Sequence, residues 1–284
     1  MPAETIGVPN FSFESPFTVF VDTHIDFWQE TPKPDSYNES GGFTWDQLTG
    51  VFLNTLFPLP SHIDNCDGLQ AMYLFAVPQV GLFQDYDSTD WARPTPLHAF
   101  NSRFEIGKSY HLTVGVIGGG GGMTNGASLE FSFYYRDSSS NKITIAATNI
   151  IHSLAVFPTT THFVDCYLDI AAVKASDAWA GKNIGVQIVS TVDPLLAGGY
   201  WDLDNVRLVA TREPILLNPA LRNNQFTFTL QSEPLLTFEI LASTNLATTN
   251  WTSVGVVTNS TGTVSFTNTV FNLNQRFYRA RQLP

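Results

Sequence analysis

The segment Leu129-Glu130-Phe131-Ser132-Phe133-Tyr134-Tyr135 decides the fold class. Large apolar or aromatic residues occupy every second position in it, which is the spacing of a β-strand with one face against a core. The same period recurs at Leu69–Phe75 and Leu112–Val116. Further runs rich in β-branched and aromatic residues lie at Ile143–Ala147, Phe163–Ile170, Ile184–Val189 and Tyr200–Leu208. Many short strands separated by turn residues predict an all-β sandwich or jelly roll.

A second set of strands begins after residue 212. The segment Thr211-Arg212-Glu213-Pro214 is polar and broken by proline, and alternating apolar residues resume beyond it. A chain of 284 residues also exceeds one compact sandwich of roughly 100 to 200 residues. We therefore predict a jelly-roll domain at 1–212 and a small β-sandwich of the immunoglobulin or fibronectin kind at 213–284. Only Ala171–Ala180 has a helix-like composition, enough for a turn or two.

Composition and charge exclude several classes of protein. Hydrophobic residues make up 43% of the chain and charged residues 14%, which predicts an extensive core rather than disorder. The net charge of −11 leaves no basic stripe to neutralise phosphates, so nucleic acid is not an expected partner. No apolar run reaches the ~20 residues that cross a bilayer. Met1 leads into polar sequence without the charged and apolar regions of a signal peptide. An acidic surface fits solubility outside cells, so we expect an extracellular or cell-surface protein whose signal peptide is not present in this chain.

Familiar catalytic motifs do not occur. The run Gly118–Gly122 lacks the lysine of a phosphate-binding loop and precedes another strand, so we interpret it as a hairpin loop. The sequence has neither GxSxG nor HExxH, and its six histidines are scattered without ligand spacing. Cys66 and Cys166 do not form a CxxC pair. They form either a disulfide or two buried thiols, and the sequence leaves both open.

Four strand motifs follow one another in the first domain. Val8–Pro16 opens it, Asp67–Leu74 and Gly107–Val114 lie within it, and Trp201–Leu208 closes it. In this order the motifs resemble the jelly-roll modules of extracellular bacterial proteins, which include carbohydrate-binding modules and the calcium-dependent Stig cyclases of cyanobacteria. The resemblance spans about residues 6 to 210. It implies a jelly roll and a calcium ion as cofactor, and it is less specific for function than for fold.

The acidic ends of this domain give the implied calcium ion candidate ligands. The first and last strands of a closed sandwich commonly lie side by side, so Glu14 and Asp204 would meet near a rim. A hard cation there completes six to eight oxygen ligands with backbone carbonyls and water. Asn10 and Asp67 are further candidate ligands. The alternative is that these acids are ordinary exposed strand or cap residues.

Aromatic residues in loop-rich stretches are candidates for sugar binding, because pyranose C–H faces stack on rings while hydroxyls need polar partners. Trp28 and Trp45 lie among glutamine, aspartate and asparagine residues. Tyr86 and Trp91 lie among aspartates, and we rank these two first. The alternative is that the rings cap the core beneath long loops.

A cyclase would need a carboxylic acid that donates a proton inside an apolar aromatic cavity, where desolvation raises the pKa. Asp202 is the candidate, because Tyr200 and Trp201 precede it and it stands two residues from Asp204. Asp202 and Asp204 should project from the same face of the sheet. Stig cyclases carry no C-terminal domain of this kind, and the additional domain disfavours cyclisation.

The tail carries a resemblance of its own. Ala242–Leu246, Asn250–Thr252 and Phe277–Ala280, read as ASTNL, NWT and FYRA, resemble a small β-sandwich motif at the C-termini of secreted proteins from Verrucomicrobia and related bacteria. The resemblance covers about residues 215 to 284. It implies a structural or adhesive domain, in which we expect Arg279 to pair with Glu239 across two strands.

These features predict a secreted, noncatalytic, calcium-binding protein that binds a polysaccharide or glycan or has a structural role at the cell surface. One alternative is a self-associating surface or filament subunit, whose copies pair through exposed sheet edges. The other is a calcium-dependent cyclase-like enzyme with Asp202 as proton donor. A cyclase predicts a closed apolar cavity around Asp202, whereas a sugar binder predicts an open groove with solvent-facing rings.

Overall fold

The computed structural model describes residues 4–212, 214–232, 234–247, 250–270 and 275–283. The chain folds into two compact units. One comprises Thr5–Ile106 and Tyr110–Ala210, and the other is formed chiefly by the residues from Thr211 onward. Glu213, at the boundary that the sequence predicts, lies outside the described residues.

The larger unit is built from two sheets. The strands of the first sheet are β1 (Glu4–Ile6), β2 (Val21–Asp22), β4 (Thr49–Leu53), β5 (Gln70–Phe75), β7 (Lys108–Gly120), β10 (Val164–Ile170) and β12 (Tyr200–Arg212). Their order is β10-β7-β12-β5-β4-β2, and β1 also pairs with β12. The first strand, β1, and the last strand, β12, therefore lie side by side. The predicted strand motif Val8–Pro16, which carries Glu14, forms turns and irregular backbone after β1 instead of a strand.

The second sheet of this unit is antiparallel throughout. Its strands are β3 (Gln29–Glu30), β6 (Gly81–Gln84), β8 (Ser128–Arg136), β9 (Lys142–Ile151) and β11 (Gly185–Ser190), in the order β3-β6-β11-β8-β9. Short 3-10 helices lie at Glu39–Gly41, Trp45–Gln47 and Pro194–Leu196. The segment Ala171–Ala180 contains two successive turns, closed by N–H groups of Asp177 and Ala180, rather than an α-helix.

The segment Leu129–Tyr135 lies in β8, and its alternate apolar residues face the core. Leu129, Phe131 and Phe133 are fully buried, and each such side chain stabilises the fold by roughly 1.5–3 kcal/mol. A bulge in the pairing with β9 follows Phe133 and changes the phase of the alternation. Tyr134 is buried too, and its hydroxyl donates a hydrogen bond to Asp85. The period of two therefore holds for the first half of the strand only.

The glycine run is a close-packed strand end rather than only a hairpin loop. Gly118–Gly120 belong to β7, and the turn follows them. A Cβ atom on Gly118 would lie 2.9 Å from the ring of Trp201, and one on Gly120 would lie 2.3 Å from the ring of Tyr200. Large rings of β12 thus occupy the space that side chains would need. Cys66 and Cys166 are free thiols, so the structure contains no disulfide between them.

The C-terminal unit is a small sandwich of two three-stranded sheets among the described residues. One sheet has the order β13 (Ile215–Arg222), β14 (Gln225–Gln231), β17 (Thr263–Thr269), and the other β16 (Thr252–Asn259), β15 (Leu236–Ser243), β18 (Phe277–Gln282). Its core contains Phe228, Leu230, Phe238, Ile240 and Phe266. The predicted fold class, an all-β jelly-roll sandwich followed by a small β-sandwich, is confirmed.

One predicted contact in this unit is wrong. Glu239 pairs with Arg281, and their side chains form an ion pair, whereas Arg279 lies opposite Leu241. The guanidinium of Arg279 instead lies over the ring of Trp251, 4.3 Å from its centroid. Arg279 and Arg281 lie two residues apart on the same face of β18. The sequence therefore predicts that an arginine of this strand pairs with Glu239, but it does not fix the register that decides which one.

Candidate functional site

The outer face of the first sheet carries a cleft of about 930 Å³. Trp201 and Leu203 of β12 are fully buried in the core, so Tyr200 and Asp202 project from the opposite face. The same alternation in β5 turns Tyr73 outward, directly opposite Asp202 in the strand pairing. The floor of the cleft is therefore formed by the outward residues of two neighbouring strands.

Aromatic rings make up much of the cleft wall. Phe75 lies at the centre, with ring centroids of Phe43, Tyr73 and Tyr200 at 5.0, 5.9 and 6.0 Å. Phe43 is 53% exposed, so part of this aromatic surface faces solvent. Hydroxyl and amide groups lie around it, contributed by Thr23, Gln47, Thr55, Ser61, Thr160 and Thr161. The cleft thus combines stacking surfaces with hydrogen-bonding groups.

Asp202 lies at the floor of this cleft, with 8% of its surface exposed. Burial raises the pKa of its carboxyl group from 3.8 to about 8. Its side chain forms no hydrogen bond with any residue that the structure describes. At neutral pH the group is therefore largely a neutral carboxylic acid, which donates as well as accepts hydrogen bonds.

A second desolvated carboxyl group lies close to Tyr73. Burial raises the pKa of Glu30 to about 8, despite a hydrogen bond from the Thr49 hydroxyl. Burial, together with the carboxylates of Asp22, Glu30 and Asp46, raises the pKa of Tyr73 to about 12. The phenol therefore keeps its proton and remains a hydrogen-bond donor at any physiological pH.

The four aromatic residues proposed from the sequence do not line the cleft. Trp28 and Trp45 are core side chains, 2% and 6% exposed, and their indole N–H groups donate to the carbonyls of Asn10 and Thr31. Trp91 is 54% exposed and stacks on His24 with a centroid distance of 4.2 Å.

Tyr86 is likewise covered on one face, because it stacks on His98 at 4.1 Å. Tyr86 and Trp91 thus offer at most one free ring face each. The sequence did not single out Phe20, Phe43, Tyr73 or Phe75 as binding residues, although the alternation of β5 places the last two on one face.

The predicted calcium ligands converge on one short segment. Backbone N–H groups of Leu69 and Gln70 donate to Glu14 Oε1 at 2.9 and 2.7 Å. The N–H of Asp67 donates to Asp204 Oδ2 at 2.6 Å. Asp204 is fully buried, and burial raises the pKa of its carboxyl group to about 7. Glu14 and Asp204 therefore tie the N-terminal segment and β12 to residues 67–70.

Asn10, a further predicted calcium ligand, forms hydrogen bonds within its own loop. Its side-chain amide accepts from the Ser15 N–H and donates to the carbonyls of Ser15 and Asp26, so it closes its own loop. Within the described ranges, no three His, Cys, Asp or Glu side chains are grouped as the ligands of a metal ion. Calcium binding at Glu14 and Asp204 stays a prediction.

No protein-family model matches the chain, and no curated protein matches it. Among solved structures, the Stig cyclase Fisc from Fischerella sp. TAU, in complex with (3Z)-3-(1-methyl-2-pyrrolidinylidene)-3H-indole, matches with a TM-score of 0.50 and 18% identity. The match covers 74% of this chain and 98% of the cyclase. A second cyclase structure from the same organism, with 4-(1H-indol-3-yl)butan-2-one, has a TM-score of 0.50 and 19% identity.

The CBM22-1 xylan-binding domain of Paenibacillus barcinonensis Xyn10C aligns with a TM-score of 0.36 and 12% identity, over 73% of this chain and 95% of that domain. At identities this low the likeness concerns the fold alone, and the cyclases share the jelly roll with this chain. The predicted likeness of the C-terminal unit to domains of Verrucomicrobia stays a prediction. In the described part of the chain, no helix is long and apolar enough to cross a membrane.

Proposed function

We propose that the cleft binds a polysaccharide or glycan chain without catalysis, as part of an extracellular or cell-surface protein. The observation that carries this proposal is the open aromatic wall around Phe75, beside the outward residues of β5 and β12. Sugar rings stack their C–H faces on such walls. A solvent-facing groove also lets a long chain pass through, which a closed cavity does not.

The polar groups of the cleft suit an uncharged ligand. Asp202 is largely protonated at neutral pH because of its burial, so it offers one donor and one acceptor to adjacent sugar hydroxyls. The Tyr73 hydroxyl, which donates a long hydrogen bond of 3.5 Å to the Gln47 carbonyl, adds another polar group to the cleft. No Lys or Arg side chain lines the cleft among the residues described, so a strongly anionic glycan is not the expected ligand.

A glycan array followed by calorimetric titration tests this proposal. Tyr73→Ala removes a ring and a hydroxyl from the wall, and we expect roughly a tenfold or greater loss of affinity. Trp91→Ala is the matched control, because it removes an exposed ring outside the cleft. We expect no change in that variant. Loss of binding in Trp91→Ala with full binding in Tyr73→Ala would place the site at the loop aromatics predicted from the sequence instead.

We further propose that calcium binds at Glu14 and Asp204. Both carboxylates converge on residues 67–70, and neither forms an ion pair with a cationic side chain that the structure describes. A buried carboxylate without a counter-ion fits a hard cation, whose remaining ligands would be backbone carbonyls and water. The ion would supply the positive charge that keeps Asp204 ionised.

A second candidate function is acid catalysis by Asp202, of the cyclase-like kind. The observation that favours it is a carboxyl group without a hydrogen-bond partner at the floor of an aromatic cleft. Asp202→Asn separates the two functions, because an amide still bonds to a sugar hydroxyl but cannot act as an acid. Under the binding proposal, glycan affinity changes by about threefold or less.

Titration with 4-(1H-indol-3-yl)butan-2-one, the ligand of the second cyclase structure, completes this comparison. If that compound binds in the cleft and no oligosaccharide binds there, the catalytic candidate is favoured. If an oligosaccharide binds to the wild type and to Asp202→Asn alike, the noncatalytic proposal is supported.

A further inference from the structure

Two neighbouring loops beside the cleft expose large apolar side chains to solvent. Phe17, Val19 and Phe20 of the first loop are 61%, 80% and 79% exposed. In the second loop, Leu56, Phe57 and Leu59 are 75%, 81% and 56% exposed. We call these six residues the apolar lip.

The two loops are held side by side by backbone pairing. Val21 pairs with Phe52 between β2 and β4, and the N–H of Leu53 donates to the carbonyl of Phe20 at 3.0 Å. Both loops also border the same cleft, because Phe20 of the first loop and Pro60 of the second line it. The lip is therefore one surface at the cleft mouth rather than two unrelated patches.

Exposed side chains of this size are costly when they cluster. Single exposed apolar residues are normal on any protein surface, but a contiguous group marks a surface that binds something. None of these six residues belongs to the hydrophobic core of this unit, whose buried residues come from the strands and other loops. The lip therefore points to an apolar partner.

Charge narrows the choice of partner. The stretches 16–21 and 53–61 contain no Asp, Glu, Lys or Arg, and the chain as a whole carries −11. An anionic membrane would repel such a protein, and no basic side chain in the lip compensates. The partner that fits is apolar and electrically neutral.

The exposure of the individual side chains narrows the choice of partner further. Val19, Phe20 and Phe57 are each about four-fifths exposed, so nearly the whole of each side chain faces solvent. A folded partner would need a matching pocket for each side chain, whereas a fluid hydrocarbon layer adapts to any of them. We infer that the apolar lip inserts into the interface of an electrically neutral lipid surface, with the cleft mouth facing the headgroup layer.

This inference does not depend on which ligand the cleft takes. Val19, Leu56 and Phe57 do not line the cleft, so their substitution leaves its walls intact. The lip can therefore be altered without altering the proposed glycan site, and failure of one proposal is distinguishable from failure of the other.

Co-flotation of the full chain with uncharged phosphatidylcholine vesicles tests the inference. We expect the wild type to float with the vesicles, in 0.1 M and in 1 M sodium chloride alike, because apolar insertion is not screened by salt. The triple variant Val19→Ser, Leu56→Ser, Phe57→Ser should lose binding roughly tenfold or more. Leu195→Ser is the matched control, since Leu195 is 93% exposed and lies outside the lip.

Thermal unfolding of each variant, together with the single variant Val19→Ser, separates loss of insertion from loss of folding. Partial loss of vesicle binding in a fully folded Val19→Ser supports the inference. Failure of the wild type to float overturns it, as does equal loss in Leu195→Ser. Sedimentation provides a further test: a wild-type dimer that the triple variant converts to monomer, without vesicle binding, would show that the lip joins two copies of the chain.

Discussion

Burial rather than pairing controls the chemistry of two carboxyl groups in the jelly-roll unit. Asp202 has no hydrogen-bond partner among the described side chains, and Glu30 has only the hydroxyl of Thr49. Desolvation raises both pKa values to about 8. Each group is therefore mostly uncharged under conditions where an exposed carboxylate is fully ionised.

Glu30 makes the stability of the protein pH-dependent in a defined direction. Its pKa is about 8 in the folded protein and 4.5 in the unfolded chain, so the folded state binds more protons between these pH values. The contribution of Glu30 to the free energy of unfolding therefore falls as the pH rises from about 4.5 to 8. Glu30→Gln cannot titrate, and we expect its stability relative to the wild type to rise by about 1–3 kcal/mol between pH 5 and pH 9.

Urea unfolding at pH 5, 7 and 9 measures this difference. Asp137→Asn is the control, because hydrogen bonds from Asn141 and Ser139 hold the pKa of that exposed carboxyl group below 3.8. Its difference from the wild type should be constant over the same range. A constant difference for Glu30→Gln as well would contradict the raised pKa.

Single residues also show where sequence reasoning ends. Asp202 is identifiable from its place beside Asp204 in a strand, and the structure places it in a cleft. Trp28 and Trp45 look like binding residues because their neighbours are polar, but their rings lie in the core. Polar neighbours in sequence do not determine which way a loop side chain packs, because that depends on contacts with distant strands.

The glycine-rich end of β7 shapes the cleft at the scale of an element. Gly120 leaves room for the ring of Tyr200, whose Cε2 would lie 2.3 Å from an added Cβ. Gly120→Ala should therefore displace this ring from the cleft wall. We expect a loss of about 1–3 kcal/mol in stability and a several-fold loss of glycan affinity.

Gly7→Ala is the matched control for this substitution, since an added Cβ there meets nothing within 4 Å. Denaturant unfolding and calorimetric titration give the two effects separately. An unchanged affinity in a destabilised Gly120→Ala would show that Tyr200 takes no part in binding.

Strand β5 shows why the fold was predictable and the site was not. The alternation from Leu69 to Phe75 identifies a strand, but both sets of alternating residues are largely apolar. Met72 and Leu74 face the core, whereas Tyr73 and Phe75 line the cleft. A period of two predicts two faces without saying which one is buried, because the partner sheet decides that.

At the scale of the whole molecule, the proposed calcium ion should join distant parts of the jelly roll. Saturating calcium, at a hundred times its dissociation constant, would add about 2.7 kcal/mol and raise the Tm of a unit of this size by roughly 5–10 °C over excess chelator. Glu14→Gln and Asp204→Asn should each abolish that shift. Asp169→Asn, which alters an exposed carboxylate beside His111, should retain it.

Differential scanning calorimetry with calcium and with chelator measures the effect on the intact chain. The absence of any calcium-dependent shift in the wild type would contradict the calcium proposal. So would a shift of full size in Asp204→Asn.

Two local features of the sequence predict the two β-rich units. Strand periodicity and the polar, proline-broken segment near Arg212 are local signals, and they require no knowledge of packing. The cleft and the apolar lip depend instead on which strands lie side by side. Contacts between residues as distant as Tyr73 and Asp202 leave no signal in a single sequence.

Hydrogen–deuterium exchange with and without the bound oligosaccharide tests directly whether the cleft is the binding site. We expect slower exchange in β4, in β5 and at Tyr200–Asp202, because the ligand covers these strands. Exchange in the loop from Asp85 to His98, which holds Tyr86 and Trp91, should stay unchanged. Protection confined to that loop, with none in β4 or β5, would show that the ligand binds at the loop aromatics and not in the cleft.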